Sequence, residues 1–285
     1  MASREQIAAA YLQACRAEIE ALKPGNVHRF ADGHRMTAQQ FRDSAALTAD
    51  AISRPGASIG RRIAEAATIT REQIGTNTNL GILLLCAPLA KAAESGSPML
   101  TDSIADVLKN MTQTDADDVF RAIMIANPGG LGTTEKHDVA SPPQVSLLEA
   151  MAEAADRDVI ARQYVSNFSD ILSGGLAAFA RASREGEQGM WPTVFVYLHF
   201  LSSFPDSHIA RKLGVELAQQ IMGEAGYIAA VTAQSDLEAR ERILLAFDTR
   251  LKAAGINPGT SADLTVATLF AAALNLVLQI GTVNA

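Results

Sequence analysis

The sequence predicts an all-helical fold, and three observations carry that prediction. Ala, Leu and Ile dominate a hydrophobic share of 48%, while aromatic residues make up 5%. Runs of β-branched residues alternating with period two are scarce. Apolar residues instead recur at helical spacing, segment after segment, between loops rich in Gly, Pro and Asn. A chain of 285 residues with positive mean hydropathy can bury a large core. No linker, repeat or low-complexity tract divides it, so residues 1–285 read as a single multi-helix domain with its functional loops at helix ends.

The formal net charge of −7 argues against a nucleic-acid partner but leaves room for an anionic ligand, since a local cluster of cations can outweigh a global deficit. Cys15 and Cys86 lie in apolar helical contexts and read as buried thiols of a reducing compartment. Charged residues interrupt the amino-terminal helix, so no secretory signal is expected and the placement is cytoplasmic. The most apolar stretches, residues 82–93 and 264–280, are short or broken by Pro88, Asn275 and Gln279; they read as core helices, not membrane spans. Helix-rich apolar character allows a homodimer.

The first helix has a stripe of Ile7, Tyr11, Cys15, Ile19 and Leu22, and Glu18 falls inside it. A carboxylate among apolar neighbours requires a cation, a metal or a proton. Pro24 and Gly25 end this helix, so Lys23, Asn26 and His28 hang from one constrained loop. Phe41, Ala45, Thr48 and Ile52 mark a second helix closed by Pro55 and Gly56, and a third spans residues 59–73. Residues 75–81, G-T-N-T-N-L-G, hold four good capping residues; Asn77 and Asn79 there are candidates for a ribose or phosphate, or simple caps of the apolar helix that follows. Thr101 and Asp102, then the acidic run Asp115, Asp117 and Asp118, open two shorter helices. That run reads as first-turn acids, not as an aspartate-rich metal site.

Residues 127–139 form a long loop in which Gly129, Gly130 and Gly132 let backbone N–H groups approach phosphate, and Glu135 and Asp138 are hard oxygen donors suited to Mg²⁺. It matches neither a Walker A loop nor a dinucleotide fingerprint. Ser146 is expected to cap a long helix with Leu147, Met151, Ala154, Val165 and Leu172 on one stripe. Asp158 and Arg162 share that face, either as a mutual ion pair or as ligands to ribose, metal and phosphate. His199, in the apolar helix after residues 186–189, reads as a core histidine. Asp206 or Ser207 caps a helix carrying His208, Arg211 and Lys212, a ready anion site. Ser235 opens the penultimate helix. Thr260 and Asp263 stand at capping-box spacing at the start of the last, with Asp263 a second metal candidate.

No Cys/His zinc spacing and no nucleophile elbow is present. Loops bearing acids, amides and cations suit Mg²⁺-assisted binding of a polyphosphate or nucleotide among helix ends. K-P-G-N-V-H (23–28), G-T-N-T-N-L-G (75–81), P-G-G-L-G (128–132), A-A-D-R-D-V-I-A-R-Q-Y (154–164), P-D-S-H-I-A-R-K (205–212) and N-P-G-T-S-A-D-L (257–264) follow in order over nearly the whole chain. Together they resemble the triphosphoribosyl-dephospho-coenzyme A synthase family. Where its familiar members carry N-T-H-K-G, this chain has N-T-N-L-G at residues 77–81, and it looks more like the branch of archaea and one-carbon-metabolising bacteria. The resemblance implies an all-α fold, and transfer of the triphosphoribosyl group of ATP to 3′-dephospho-coenzyme A with loss of adenine and Mg²⁺ on the triphosphate. Glu18 or Asp158 would stabilise the ribosyl cation or activate the acceptor hydroxyl, and Lys23, Arg162, Arg211 and Lys212 would hold phosphates. Two other classes fit the same loops: a Mg²⁺-dependent phosphohydrolase or transferase in pterin or one-carbon cofactor synthesis, and a non-catalytic nucleotide-binding protein.

Overall fold

The structure, a computed structural model, describes residues 1–128 and 143–283; among them are fourteen α-helices and no strand beyond isolated bridges in residues 28–36. The axis of the fold is the last helix, α14 (Gly259–Val283), which packs against α1 (Arg4–Glu20), α4 (Leu80–Ala93) and α10 (Trp191–Ser203). Its sequence dictates that place: Leu264, Val266, Ala267, Phe270, Ala271 and Leu274 cover several faces, and a helix apolar all round must be surrounded. Residues 259–280 are long and apolar enough to cross a membrane, but 72% of that window is buried within the fold.

Three further helices wrap the amino-terminal half: α2 (Ala38–Ile52), α3 (Ile59–Gln73) and α6 (Gln113–Ala126), with a 3₁₀ turn at Leu100–Asp102 and α5 (Ile104–Lys109) beside α4. α3 has the expected bounds. Asp115 closes a capping box with Thr112 and also accepts from the Gly60 N–H at 2.7 Å, while a Cβ at Gly60 would lie 2.6 Å from the Asp115 backbone. The acidic run thus caps α6 and fastens it to α3. Arg62, fully buried, donates to the Ile52 and Ala57 carbonyls and pairs with Glu94.

The long helix expected after Ser146 is instead two, α7 (Leu147–Ala154) and α8 (Val159–Val165). The carboxylate of Asp158 accepts from the N–H groups of Ile160 and Ala161 and so starts a new helix where the apolar spacing suggested a continuous one. Val165 is consequently 44% exposed, and Leu172 lies in a π turn, Asp170–Gly175, that leads into α9 (Leu176–Arg184). α11 (Ser207–Leu213), α12 (Val215–Gln234) and α13 (Leu237–Ala253) complete the chain, with α10, α12 and α13 enclosing a second core of Tyr197, Leu198, Ile221, Leu244, Phe247 and Leu251. Asp236, not Ser235, caps α13, its carboxylate accepting from Ala239 N–H. Thr260 lies inside the first turn of α14 and accepts from His208 N–H at 3.2 Å, so no Thr260–Asp263 capping box forms. His199 is half-buried rather than sealed in the core.

Candidate functional site

A cavity of about 850 Å³ opens among the ends of α1, α4, α6, α8, α11 and α14, near the upper end of the ~300–1,000 Å³ usual for small-molecule sites. Glu18, Asn26, Asn77, Asn79, Asp158, Arg162, Ser207, Arg211, Lys212 and Asp263 all line it, from six separate stretches of sequence. Lys23, His28 and Asp206 stand behind its wall. Gly129, Gly130, Gly132 and Asp138, with Glu135, lie outside the described residues.

The loop after α1 is locked from below. The buried Lys23 ammonium pairs with Glu18 and donates at 2.8 Å to both Asn26 Oδ1 and the Val27 carbonyl. Those three acceptors take all its protons, so Lys23 supports the wall and has none left for phosphate. Gly25 N–H donates to Asp248 Oδ1 at 2.8 Å, and His28 Nε2 lies 3.2 Å from the same oxygen, to which Lys252 also reaches. His28 therefore tethers the loop to α13; burial pulls its pKa below the ordinary histidine value against the pull of Asp248. Gly25 has φ +84°, and a Cβ there would come within 2.8 Å of Pro258, so only glycine lets this loop meet the one before α14. Asn26 Nδ2 bridges the two loops by donating to Asn257 Oδ1 at 2.8 Å.

Two carboxyl groups form the floor, Glu18 buried and Asp263 half-buried. Glu18 is 3% exposed, and among the described residues only its Oε1 is engaged, by Lys23. Burial raises its pKa, with Lys23 opposing. Asp263 has no hydrogen-bond or ion-pair partner among the described residues, and its oxygen presses on Gly81 in the first turn of α4, where a Cβ would meet it at 2.0 Å. Burial, then the like charges of Glu18 and Asp206, raise the Asp263 pKa well above the carboxylate range. α4 begins without a side-chain cap from Asn79, whose Nδ2 is buried and unpartnered; Asn77 accepts from Leu80 N–H at 3.1 Å. Among the described residues no three ligating side chains converge as a metal site.

The rim is basic. Asp158 and Arg162 do not pair with each other: Asp158 uses one oxygen as the α8 cap, so Arg162 turns to Asp170 at 2.9 Å and lies over the Phe204 ring. Asp158 Oδ2 holds Arg211 at 3.5 Å. Lys212 has no bonded partner among the described residues. Asp206 is 1% exposed: one oxygen caps α11, the other accepts from Ser261 N–H and Oγ at 2.8 Å each. Ser207 Oγ accepts from Val159 N–H at 2.8 Å. These two residues splice the starts of α8, α11 and α14, so the expected anion site at the α11 start is filled by the chain's own carboxylate, and Arg211 and Lys212 beyond it face the cavity. His208, which the sequence sets in the anion site beside Arg211 and Lys212, also lines the cavity, and so does Asn257, which the sequence did not single out. Burial, with Lys212 and Arg211 nearby, pushes the His208 pKa down to about 3, leaving a neutral imidazole. Asn257 stands inside a quoted motif as an apparent turn residue, and nothing in its spacing marks it as cavity-facing.

A family model described as ATP:dephospho-CoA triphosphoribosyl transferase matches residues 4–280. Among solved structures, this fold matches an Archaeoglobus fulgidus protein that carries the name triphosphoribosyl-dephospho-coA synthase as a provisional assignment. The two are 26% identical with a TM-score of 0.63, over 81% of this chain and 96% of that one. No curated protein matches the sequence.

Proposed function

Since this chain belongs to the ATP:dephospho-CoA triphosphoribosyl transferase family, we propose that this cavity carries that transfer, with ribose on the acidic floor and triphosphate at the basic rim. The bond from ribose C1′ to adenine breaks, its electron pair leaving with the base, and a bond from C1′ to a hydroxyl oxygen of 3′-dephospho-coenzyme A forms. Adenine takes up one proton and the hydroxyl gives up one. Asp263, which holds its proton to higher pH than an ordinary carboxyl, is suited to protonate the leaving base. The unengaged oxygen of Glu18 is suited to face the cationic ribosyl centre and accept the hydroxyl proton. Arg162, Arg211 and Lys212 would neutralise phosphate oxygens, with Asp158 fixing Arg211. The described residues do not assemble a Mg²⁺ cage, so the Mg²⁺ expected from the sequence would arrive on the triphosphate; no step here depends on it. Two buried unpaired thiols support a cytoplasmic placement.

The observation that carries this reading is the division of one cavity into a floor with Glu18 and Asp263 and a side with Arg162, Arg211 and Lys212. It is tested by incubating the protein with ATP, Mg²⁺ and 3′-dephospho-coenzyme A and following free adenine by chromatography, with an acceptor-free control. Acceptor-dependent adenine release is expected. Bound ATP without adenine would overturn the reading, and phosphate release in its place would point to a phosphohydrolase.

A further inference from the structure

The cavity wall contains a chain of hydrogen bonds whose direction chemistry fixes. The Lys23 ammonium has only protons to give, so Asn26 must turn its carbonyl oxygen toward it, as it does at 2.8 Å. The Asn26 amide nitrogen then points the other way, to Asn257 Oδ1 at 2.8 Å. Asn257 thereby has its oxygen engaged and its NH₂ left over. This orientation cannot be reversed: a flipped Asn257 would set one NH₂ against another. The leftover NH₂ has no partner among the described residues, and it is not among the fully buried atoms that lack one. Its side chain is only 8% exposed and lines the cavity, so the cavity is what it faces. The neighbouring ammonium polarises both amides in series, which strengthens the donor at the open end.

We propose that Asn257 is a substrate-contacting residue that donates from Nδ2 to a neutral acceptor on the nucleoside half of ATP, a ribose oxygen or a purine ring nitrogen. This rests on the reading of ATP as the donor substrate. The nucleoside is assigned over the phosphates because Asn257 shares the buried wall with Glu18, whose charge repels phosphate and accepts from sugar hydroxyls. The unpaired Lys212 and the other rim cations already serve the phosphates.

Asn257→Asp tests the assignment, because it keeps the oxygen that Asn26 needs and changes only the cavity-facing atom from donor to acceptor. Calorimetric titration of wild type and N257D with ATP and with inorganic tripolyphosphate separates nucleoside from phosphate. N257D is expected to bind ATP about tenfold more weakly or worse, and tripolyphosphate within about threefold of wild type. The ATP deficit relative to wild type should shrink as pH falls from about 7 toward about 4, as the introduced carboxyl regains a proton to donate. Wild-type ATP affinity in N257D, or an equal loss for tripolyphosphate, would overturn the assignment while leaving the donor substrate standing. A wild-type protein that binds no ATP would bring down both. If N257D melts early, Asn257→Ser retains an acceptor for Asn26, removes the NH₂ and carries the same comparison.

Discussion

Asp263 is a carboxyl group kept where its charge is unwelcome. With a folded pKa raised above the unfolded value, it favours folding only while protonated. Its penalty appears as pH rises past the unfolded pKa near ~4 and levels off above the folded one. Asp263→Asn should therefore stabilise the protein by about 1–2 kcal/mol at pH 8 while abolishing adenine release. The gain in melting temperature should vanish toward pH 4; a variant less stable than wild type at pH 8 would contradict it. Lys23 is the opposite case. Lys23→Met strands Glu18 as a buried unpaired charge and should cost about 3–5 kcal/mol in denaturant unfolding. The sequence showed that Glu18 needed a cation, a metal or a proton, because it sits in an apolar stripe. It did not show that Lys23, five residues on, is that cation, because a loop's composition does not say which of its side chains turn inward.

At the scale of elements, the site is an arrangement of helix starts in which glycine sets the closest approach. A Cβ on Gly81 would gain roughly 0.5–1 kcal/mol of helix propensity but would meet Asp263 at 2.0 Å, and overpacking of that kind costs about 1–3 kcal/mol. Overpacking wins, so Gly81→Ala should lower both stability and turnover. In an Asp263→Ala background the same change should be neutral or stabilising, and a thermal-denaturation cycle over the four proteins decides it. Most helices were legible from apolar spacing and caps, including the bounds of α3 and the first-turn acids of α6. The break at residues 155–158 was not. Spacing alone carries the stripe straight through Asp158, and only the hydrogen bonds of its side chain reveal a new start. The sequence offered Asp206 or Ser207 as the cap of α11 and placed cations beyond it, and Asp206 takes the cap; what spacing could not show is that its second oxygen reaches Ser261 across the fold.

For the molecule as a whole, a net charge of −7 coexists with a local cluster of cations, Arg162, Arg211 and Lys212, on one side of the cavity. Six distant stretches of chain converge on one cavity, which the motifs foreshadowed through their shared chemistry, without any signal of which faced it. Lys212 is exposed and has no bonded partner among the described residues, so its removal should leave the fold intact. Lys212→Ala should raise the KM for ATP about two- to fivefold at low salt, with an unchanged melting temperature. Because exposed charges are screened, the gap should narrow toward 1 M salt.

The bridge from Asn26 to Asn257 spans 231 residues of sequence, and that from Gly25 to Asp248 spans 223. On a ribosome adding roughly 5–20 residues per second, the first loop waits about 10–50 s for the partners that shape it. Glu18 and Lys23 are made within five residues of each other, but the wall around them is completed only when α13 and the start of α14 have been made. A nascent chain thus makes both members of this ion pair long before it has made the helices that shape the cavity.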